Sequence, residues 1–367
     1  MYDFFRSALF NMDPERAHRL TTVAARAAHW TRVDAFLEDQ YAYEDMRLRT
    51  RVWGLSFDNP VGLAAGFDKN AALVPFWPTL GFGFVEVGSV TARRSRGNPR
   101  PRAFRLPEDE AVINRMGLNN IGASRVARRL RRHTARTEIP VGVNIAKTND
   151  PKILGDDAVE DFCDSFRLLA PVADYVALNI SCPNTKDGRT FEDADALDGL
   201  LTAIMQEKKD AQLTVPVLVK LSPPLSDRIV YDSRIEEIVD VSLRHRVDGF
   251  IASNTATDRQ GLVTDERKLD RIGQGGVSGR PLESRSTHLV RYLYRVTAGK
   301  VPIIGVGGIF TAEDAFRKIK AGASLVQIYT SLVYNGPGLV RQLKTGIIEL
   351  MEREGYSYVH KAVGVEA

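Results

Sequence analysis

Lys69, Ser89, Asn114, Asn144, Asn179, Lys220 and the pair Asn254-Thr255 stand where short apolar runs of the sequence end, Asn114 coming from the loop after one of them. Asparagine pairs a donor with an acceptor, and lysine brings a point charge with three donors. Gathered on one rim, these groups would form a donor-rich, cationic pocket for a small anion bearing several amide or carbonyl groups. Taken singly, each would serve as well in a cap or a loop hydrogen bond; their recurrence at successive strand ends points to the pocket. Cys182, within Asn179-Ile180-Ser181-Cys182-Pro183-Asn184-Thr185, is the member of this set suited to proton transfer. A thiol is a base only as thiolate, so a neighbouring lysine would have to lower its pKa. Cys163 reads instead as a small buried hydrophobe. The 6 histidines show no H-x-x-H or H-E-x-x-H spacing, so metal catalysis is not expected. Gly307-Gly308, Tyr329-Thr330 and the stretch Gly275-Gly276-Val277-Ser278-Gly279 could each simply turn the chain. Placed beside the last two strands, with a short helix N-terminus, they suggest a phosphate cradle.

The elements that must position these residues alternate. Apolar runs at 61–66, 84–90, 141–146, 175–181, 217–221, 249–253, 303–307 and 325–329 are separated by helical patterns. Near-continuous apolar strands are buried on both faces, as in parallel sheets. Eight β-α units over this span predict a (β/α)8 TIM barrel. A doubly wound sheet would put G-x-G-x-x-G near its first strand, and none is there. Thr311 as N-cap, Glu313 and Asp314 in the first turn and Gly322 at the exit predict one of the outer helices. Residues 91–119, rich in arginine, and the polar residues 184–198 read as long loops leaving the carboxyl ends of strands, where barrel sites lie. The arginines of residues 125–132 read as a solvated helix face.

Ahead of the barrel, Phe4, Phe5, Ala8 and Leu9 predict one helix. Asp13 as N-cap and Pro14 at the first position open a second, with Leu20, Val23, Ala24, Ala27 and Ala28 on one apolar face. Periodicity fits an ordinary helix pair on a core, or a hairpin lying on a membrane with arginines at the headgroups. The whole chain has 367 residues, 44% hydrophobic and 26% charged, with net charge +4. That balance excludes a disordered chain and is too weakly basic to argue for nucleic acid. Cys163 and Cys182 make no C-x-x-C, so a disulfide framework or zinc site is not expected, and no apolar stretch is long enough to span a bilayer. The N-terminal residues lack a signal-peptide core and carry Asp3, Asp13 and Glu15, unlike a transit peptide. A bacterial, intracellular setting is therefore expected.

Together the motifs resemble the dihydroorotate dehydrogenases, and within them the membrane-associated, quinone-dependent class 2, over almost the full length. They are residues 13–18 (Asp-Pro-Glu-Arg-Ala-His), 62–69, 114–120, 179–185, 254–255, 276–281 and 303–309. The resemblance implies an N-terminal helical extension, residues 1–46, and an FMN-binding barrel, residues 47–367. It implies FMN contacts from Ala65, Gly66, Phe67, Asp68, Lys69, Ser89, Asn144, Asn179, Lys220, Ser253, Gly279, Gly308, Tyr329 and Thr330. Lys69, Asn114, Arg115, Met116, Gly117, Leu118, Asn179, Asn184, Asn254 and Thr255 would hold dihydroorotate or orotate. His18, Arg105 and Tyr329 match positions lining a quinone tunnel between the extension and the barrel. The implied reaction is the oxidation of (S)-dihydroorotate to orotate in UMP biosynthesis. The enzyme would sit peripherally on the cytoplasmic side of the inner membrane, its extension on the membrane surface. No nucleic acid and no obligatory protein partner is expected, and a monomer would suffice. One departure stands out: class 2 enzymes usually carry serine as the base, whereas Cys182 is the habit of soluble class 1 enzymes. The alternative is thus a class 1-like enzyme using fumarate or NAD. A 2-hydroxy acid oxidase would want a histidine base and an arginine at the strand ends, and a flavin-binding scaffold without turnover would not need the substrate residues.

Overall fold

In the computed structural model, which describes residues 2–30, 33–133, 137–181, 190–224 and 233–367, eight parallel strands close into a barrel. They are Val61–Leu63, Phe84–Val90, Val141–Ile145, Tyr175–Asn179, Val217–Leu221, Gly249–Ala252, Ile303–Val306 and Leu325–Ile328. Each falls inside an expected apolar run, and each pairs with its sequence neighbours, the eighth returning to the first. Nearly every strand residue is buried because helices cover the outside and side chains fill the inside. The outer helix Ala312–Lys320 has the expected cap: Thr311 Oγ1 accepts from the Asp314 N–H, and Asp314 Oδ2 accepts from the Thr311 N–H. Helix Ala123–His133 buries Val126, Ala127 and Leu130 and exposes Arg125, Arg128, Arg131 and Arg132. The arginine run is a solvated face, as its spacing predicts. Cys163 is buried in the core, and that burial pushes its thiol up to about 11.

The amino-terminal floor of the barrel is plugged by a hairpin, Thr50–Val52 and Leu55–Phe57. Trp53 and Gly54 at its tip both have positive φ, 54° and 79°, the sign combination that suits a tight two-residue hairpin. The Trp53 ring lies 5.7 Å from that of Tyr175, and its Nε1–H donates to the Asp248 carbonyl at 2.6 Å. Phe57 meets Phe84 edge to face at 5.4 Å. Gly62 and Gly142 make this layer possible: a Cβ there would sit 2.3 Å from the Phe84 ring and 2.0 Å from the Tyr175 ring.

Residues 91–119 are not simply a loop. They hold the strands Ala103–Leu106 and Ala111–Asn114, which form a three-stranded antiparallel sheet with Gly276–Gly279. Asn114 therefore ends a strand, opposite Gly276, rather than sitting in a loop.

Among the described residues, three α-helices precede the barrel: α1 (Tyr2–Phe10), α2 (Pro14–Trp30) and α3 (Val33–Tyr41). Asp13 Oδ1 accepts from the Arg16 N–H at 3.0 Å, the cap read from the sequence. α1 packs on the short helix Thr330–Asn335, α2 on strand Ala103–Leu106, and α3 on the 3-10 turn Val74–Leu80. Ala17 on α2 is buried inward, while Leu20, Val23, Ala24 and Ala27 are exposed. Phe36 on α3 is exposed too, at 68%.

Candidate active site

The carboxyl ends of the strands surround a cavity of about 1100 Å³, counting its open mouth. Its wall brings together Lys69, Asn114, Met116, Gly117, Leu118, Asn179, Lys220, Asn254 and Thr255. Ala65, Gly66, Ser89, Ser253, Gly279, Gly308, Tyr329 and Thr330 line it as well. Four expected residues do not. Arg115 points away: its Nη1 donates to the carbonyls of Ile272 and Gln274, and its guanidinium lies over the Phe104 ring. Asp68 is buried beneath the wall, accepting from the N–H groups of Ala72 and Leu73 at 2.7 Å each, and burial raises its pKa. It ties down the turn that presents Lys69. Asn144 is wholly buried behind Ser89, and Phe67 faces a second cavity. Cys182 and Asn184 lie outside the described residues.

Burial and, next, the Arg102 charge bring the Lys69 ammonium down to about 8. Its Nζ donates to the Gly66 carbonyl. Such a lysine is charged near neutrality yet poorly solvated, which favours an incoming anion.

Behind the wall runs a chain of side-chain hydrogen bonds. Asn254 Nδ2 donates to Asn179 Oδ1 at 3.1 Å, and to the carbonyl and hydroxyl oxygens of Ser181. Asn179 Nδ2 donates to Ser89 Oγ at 2.9 Å, and the Ser89 hydroxyl donates to Asn144 Oδ1. Asn144 Nδ2 donates to Glu86 Oε1 at 3.0 Å. Glu86 is wholly buried on the second strand, and Lys220 Nζ stands 3.5 Å from the same oxygen. Its Oε2 accepts from Gln327 Nε2 at 2.9 Å and Tyr175 Oη at 3.2 Å. Sequence reading missed Glu86 and Gln327. The signal was present: an acid in the centre of Phe-Val-Glu-Val-Gly-Ser-Val, a strand expected to be buried on both faces, requires partners.

A second cavity, about 1680 Å³, lies between α1–α3 and the barrel. Its walls are mostly apolar: Leu9, Phe10, Ala17, Ala25, Phe67, Trp77, Leu80 and Leu332 among them. His18, Arg105 and Tyr329 all line it, as the sequence resemblance implied they would meet. The His18 ring sits 4.9 Å from Phe67, which sits 5.4 Å from Tyr329. Burial, then the nearby Lys69 charge, lower His18 to about 4. Arg105 spans the Phe10 ring at 4.8 Å and donates to the Met12 carbonyl at 2.9 Å, pinning α1 and the turn into α2. Glu15 on α2 bridges Arg100 and Arg102 at 3.0 Å each. The two cavities share Lys69, Asn114, Met116, Ser278 and Tyr329.

A closed α/β barrel with a polar, cationic cup at its carboxyl face and an apolar annex behind one wall is built as an enzyme for two unlike reactants. Comparison with known proteins agrees. The family model for Dihydroorotate dehydrogenase matches residues 47–351. The Dihydroorotate dehydrogenase (quinone) of Deinococcus deserti is 45% identical, over 99% of this chain and 98% of that protein. That of Gloeobacter violaceus is 42% identical with the same coverage, 99% and 98%. A crystal structure of ligand-free DHODH from Eimeria tenella superposes with a TM-score of 0.85 at 36% identity, covering 96% of this chain and 99% of that one. The complex of the Eimeria protein with ferulenol gives 0.84 at 34% identity, with 96% of each chain covered. The chain belongs to the dihydroorotate dehydrogenase family. Membership implies a flavin cofactor.

Proposed function

We propose that this chain oxidises (S)-dihydroorotate to orotate, the redox step of UMP synthesis, with FMN in the barrel mouth and a membrane quinone as electron acceptor. The observation that carries this reading is the pair of unlike cavities meeting at Lys69, Asn114, Met116, Ser278 and Tyr329. A charged, amide-bearing substrate suits one, and a long apolar acceptor suits the other. The quinone-dependent relatives, alike over their full length, favour this acceptor over fumarate or NAD.

The residues present fit FMN. Gly279 and Gly308, with φ of 112° and 71°, give the cup a stretch of bare backbone wall. With Thr330 they would receive the phosphate. Gln327 Oε1, on the cavity wall, is a buried acceptor lacking a partner among the described residues, ready for a ring N–H. Lys220 would face negative charge on the reduced ring. The flavin, when bound, supplies a two-electron relay, taking hydride from C6 of the substrate and passing electrons to the quinone. The protein does the rest. Lys69 would pair with the substrate carboxylate, and Asn114, Asn179, Asn184, Asn254 and Thr255 would match its ring amides. Cys182 would take the C5 proton. Asn254 holds Ser181, the residue before it, through two acceptors, which sets the root of that segment.

The quinone would enter past His18 and Arg105. Among the described residues no helix is long and apolar enough to cross a membrane. The outward Leu20, Val23 and Phe36 support a peripheral seat, with residues 1–46 as the doorway and the barrel, residues 47–367, on the cytoplasmic side of the inner membrane. No protein partner is needed for this chemistry, so a monomer would suffice. The test is anaerobic: mix the yellow protein with dihydroorotate, follow flavin absorbance, then add a short-chain ubiquinone. Bleaching followed by rapid recovery is expected; no bleaching would overturn the substrate, and no recovery the acceptor.

A further inference from the structure

We propose that Glu86 is a positioning residue: its carboxylate anchors the buried end of the amide chain that reads the substrate, and balances the Lys220 ammonium on the wall of the cup. The inference rests on the flavin reading above.

Glu86 gathers donors from four other barrel strands: Asn144 on the third, Tyr175 on the fourth, Lys220 on the fifth and Gln327 on the eighth. An ionised carboxylate only accepts. Asn144 must therefore offer it Nδ2, which leaves Oδ1 facing Ser89. The Ser89 proton is then committed to that oxygen, so Ser89 Oγ can only accept from Asn179. Asn179 gives Nδ2 there and is left with Oδ1 for Asn254. The other end demands the same sense, for Asn254 Nδ2 donates to the Ser181 carbonyl and its Oδ1 accepts from the Thr255 N–H, so the chain is anchored by an acid at one end and by backbone at the other. Without that acid Asn144 loses the acceptor of its Nδ2, and the chain is held from the Asn254 end alone. Lys220 would also lose the Glu86 carboxylate, its ion-pair partner among the described residues. A polar network buried this deeply is costly when one member is mismatched.

The test compares flavin-loaded wild type with Glu86→Gln, which keeps the shape and removes the charge. Two readouts are independent of turnover: the flavin midpoint potential by dye-equilibrated titration, and orotate affinity from the flavin difference spectrum. Loss of the buried negative charge favours the reduced, anionic flavin. The potential should therefore rise by at least a tenfold change in the equilibrium, about 30 mV for two electrons. Orotate affinity should fall about tenfold or more, since the buried end of the amide chain is no longer anchored. Glu86→Asp, which restores an acceptor-only group, should recover part of both. Wild-type values for both in flavin-loaded Glu86→Gln would overturn the proposal. Absence of flavin from the wild type would instead overturn the cofactor reading and leave Glu86 aside. If Glu86→Gln fails to fold, the double variant with Lys220→Met removes the uncompensated ammonium. Compared with Lys220→Met alone, it should still lose about tenfold in orotate affinity, and equal affinity would overturn the proposal.

Discussion

The two cavities share a wall but are made differently. The cup is enclosed by amides, lysines and bare backbone whose positions are locked through the barrel strands. The annex is enclosed by alanines, leucines and aromatic rings, contributed on one side by α1–α3 and on the other by barrel residues such as Phe67, Phe76, Trp77 and Leu80. Chemistry at a polar, reacting ring needs dipoles fixed in advance. Admission of an apolar acceptor needs only space, desolvation and a way in. The rigid element therefore carries the first task and an appended hairpin of helices the second.

The largest expected effect lies in the cup. Cys182→Ala should slow flavin reduction by dihydroorotate by about 10²–10⁴-fold, the usual weight of a general base, with FMN still bound. Unchanged reduction in a stopped-flow trace would remove Cys182 from the chemistry. The annex is probed next by deleting residues 1–46, or, where that chain fails to fold, by Ala25→Trp to crowd the cavity. Either should reduce quinone turnover by roughly tenfold or more, about 1.4 kcal/mol of lost binding, while flavin reduction keeps its rate. Equal losses in both half-reactions would break the division between the cavities. The shared wall gives a pH signature. Lys69, brought down to about 8, carries its charge below that pH and loses it above. Dihydroorotate affinity should thus fall as pH rises through 8, by at most about tenfold per unit, and Lys69→Met should flatten the profile. The smallest effect is expected at Glu15→Gln, which removes charge from the Arg100 and Arg102 bridges to α2. About 1 kcal/mol of stability should be lost in denaturant unfolding, with a higher quinone KM and no change in dihydroorotate affinity.

Much of this was legible in the sequence, for physical reasons. Strands buried on both faces announce themselves as apolar runs, and polar residues that end them are already at the rim. Hence the eight strands and the positions of Lys69, Asn179, Lys220 and Asn254 could be read directly. The sheet formed by residues 103–106, 111–114 and 276–279 could not, because its pairing partner is more than a hundred residues away and its strands are only 4 residues each. Arg115 shows the limit of reading a motif as a block. A pleated chain sends consecutive side chains to opposite sides, so Asn114 reaches the cup and Arg115 turns outward to Ile272 and Gln274. Asn144 is concealed for another reason, since its carboxamide is turned inward to Glu86 and Ser89.

The shared wall can also be described as a circuit. His18, held near 4, is an uncharged imidazole at neutral pH, and Tyr329, pushed up to about 12 by burial, keeps its phenolic proton. Both stand uncharged at a wall only a few side chains thick. Lys69, at about 8, is the group of the three whose charge switches in the physiological range, and so the gate of that circuit.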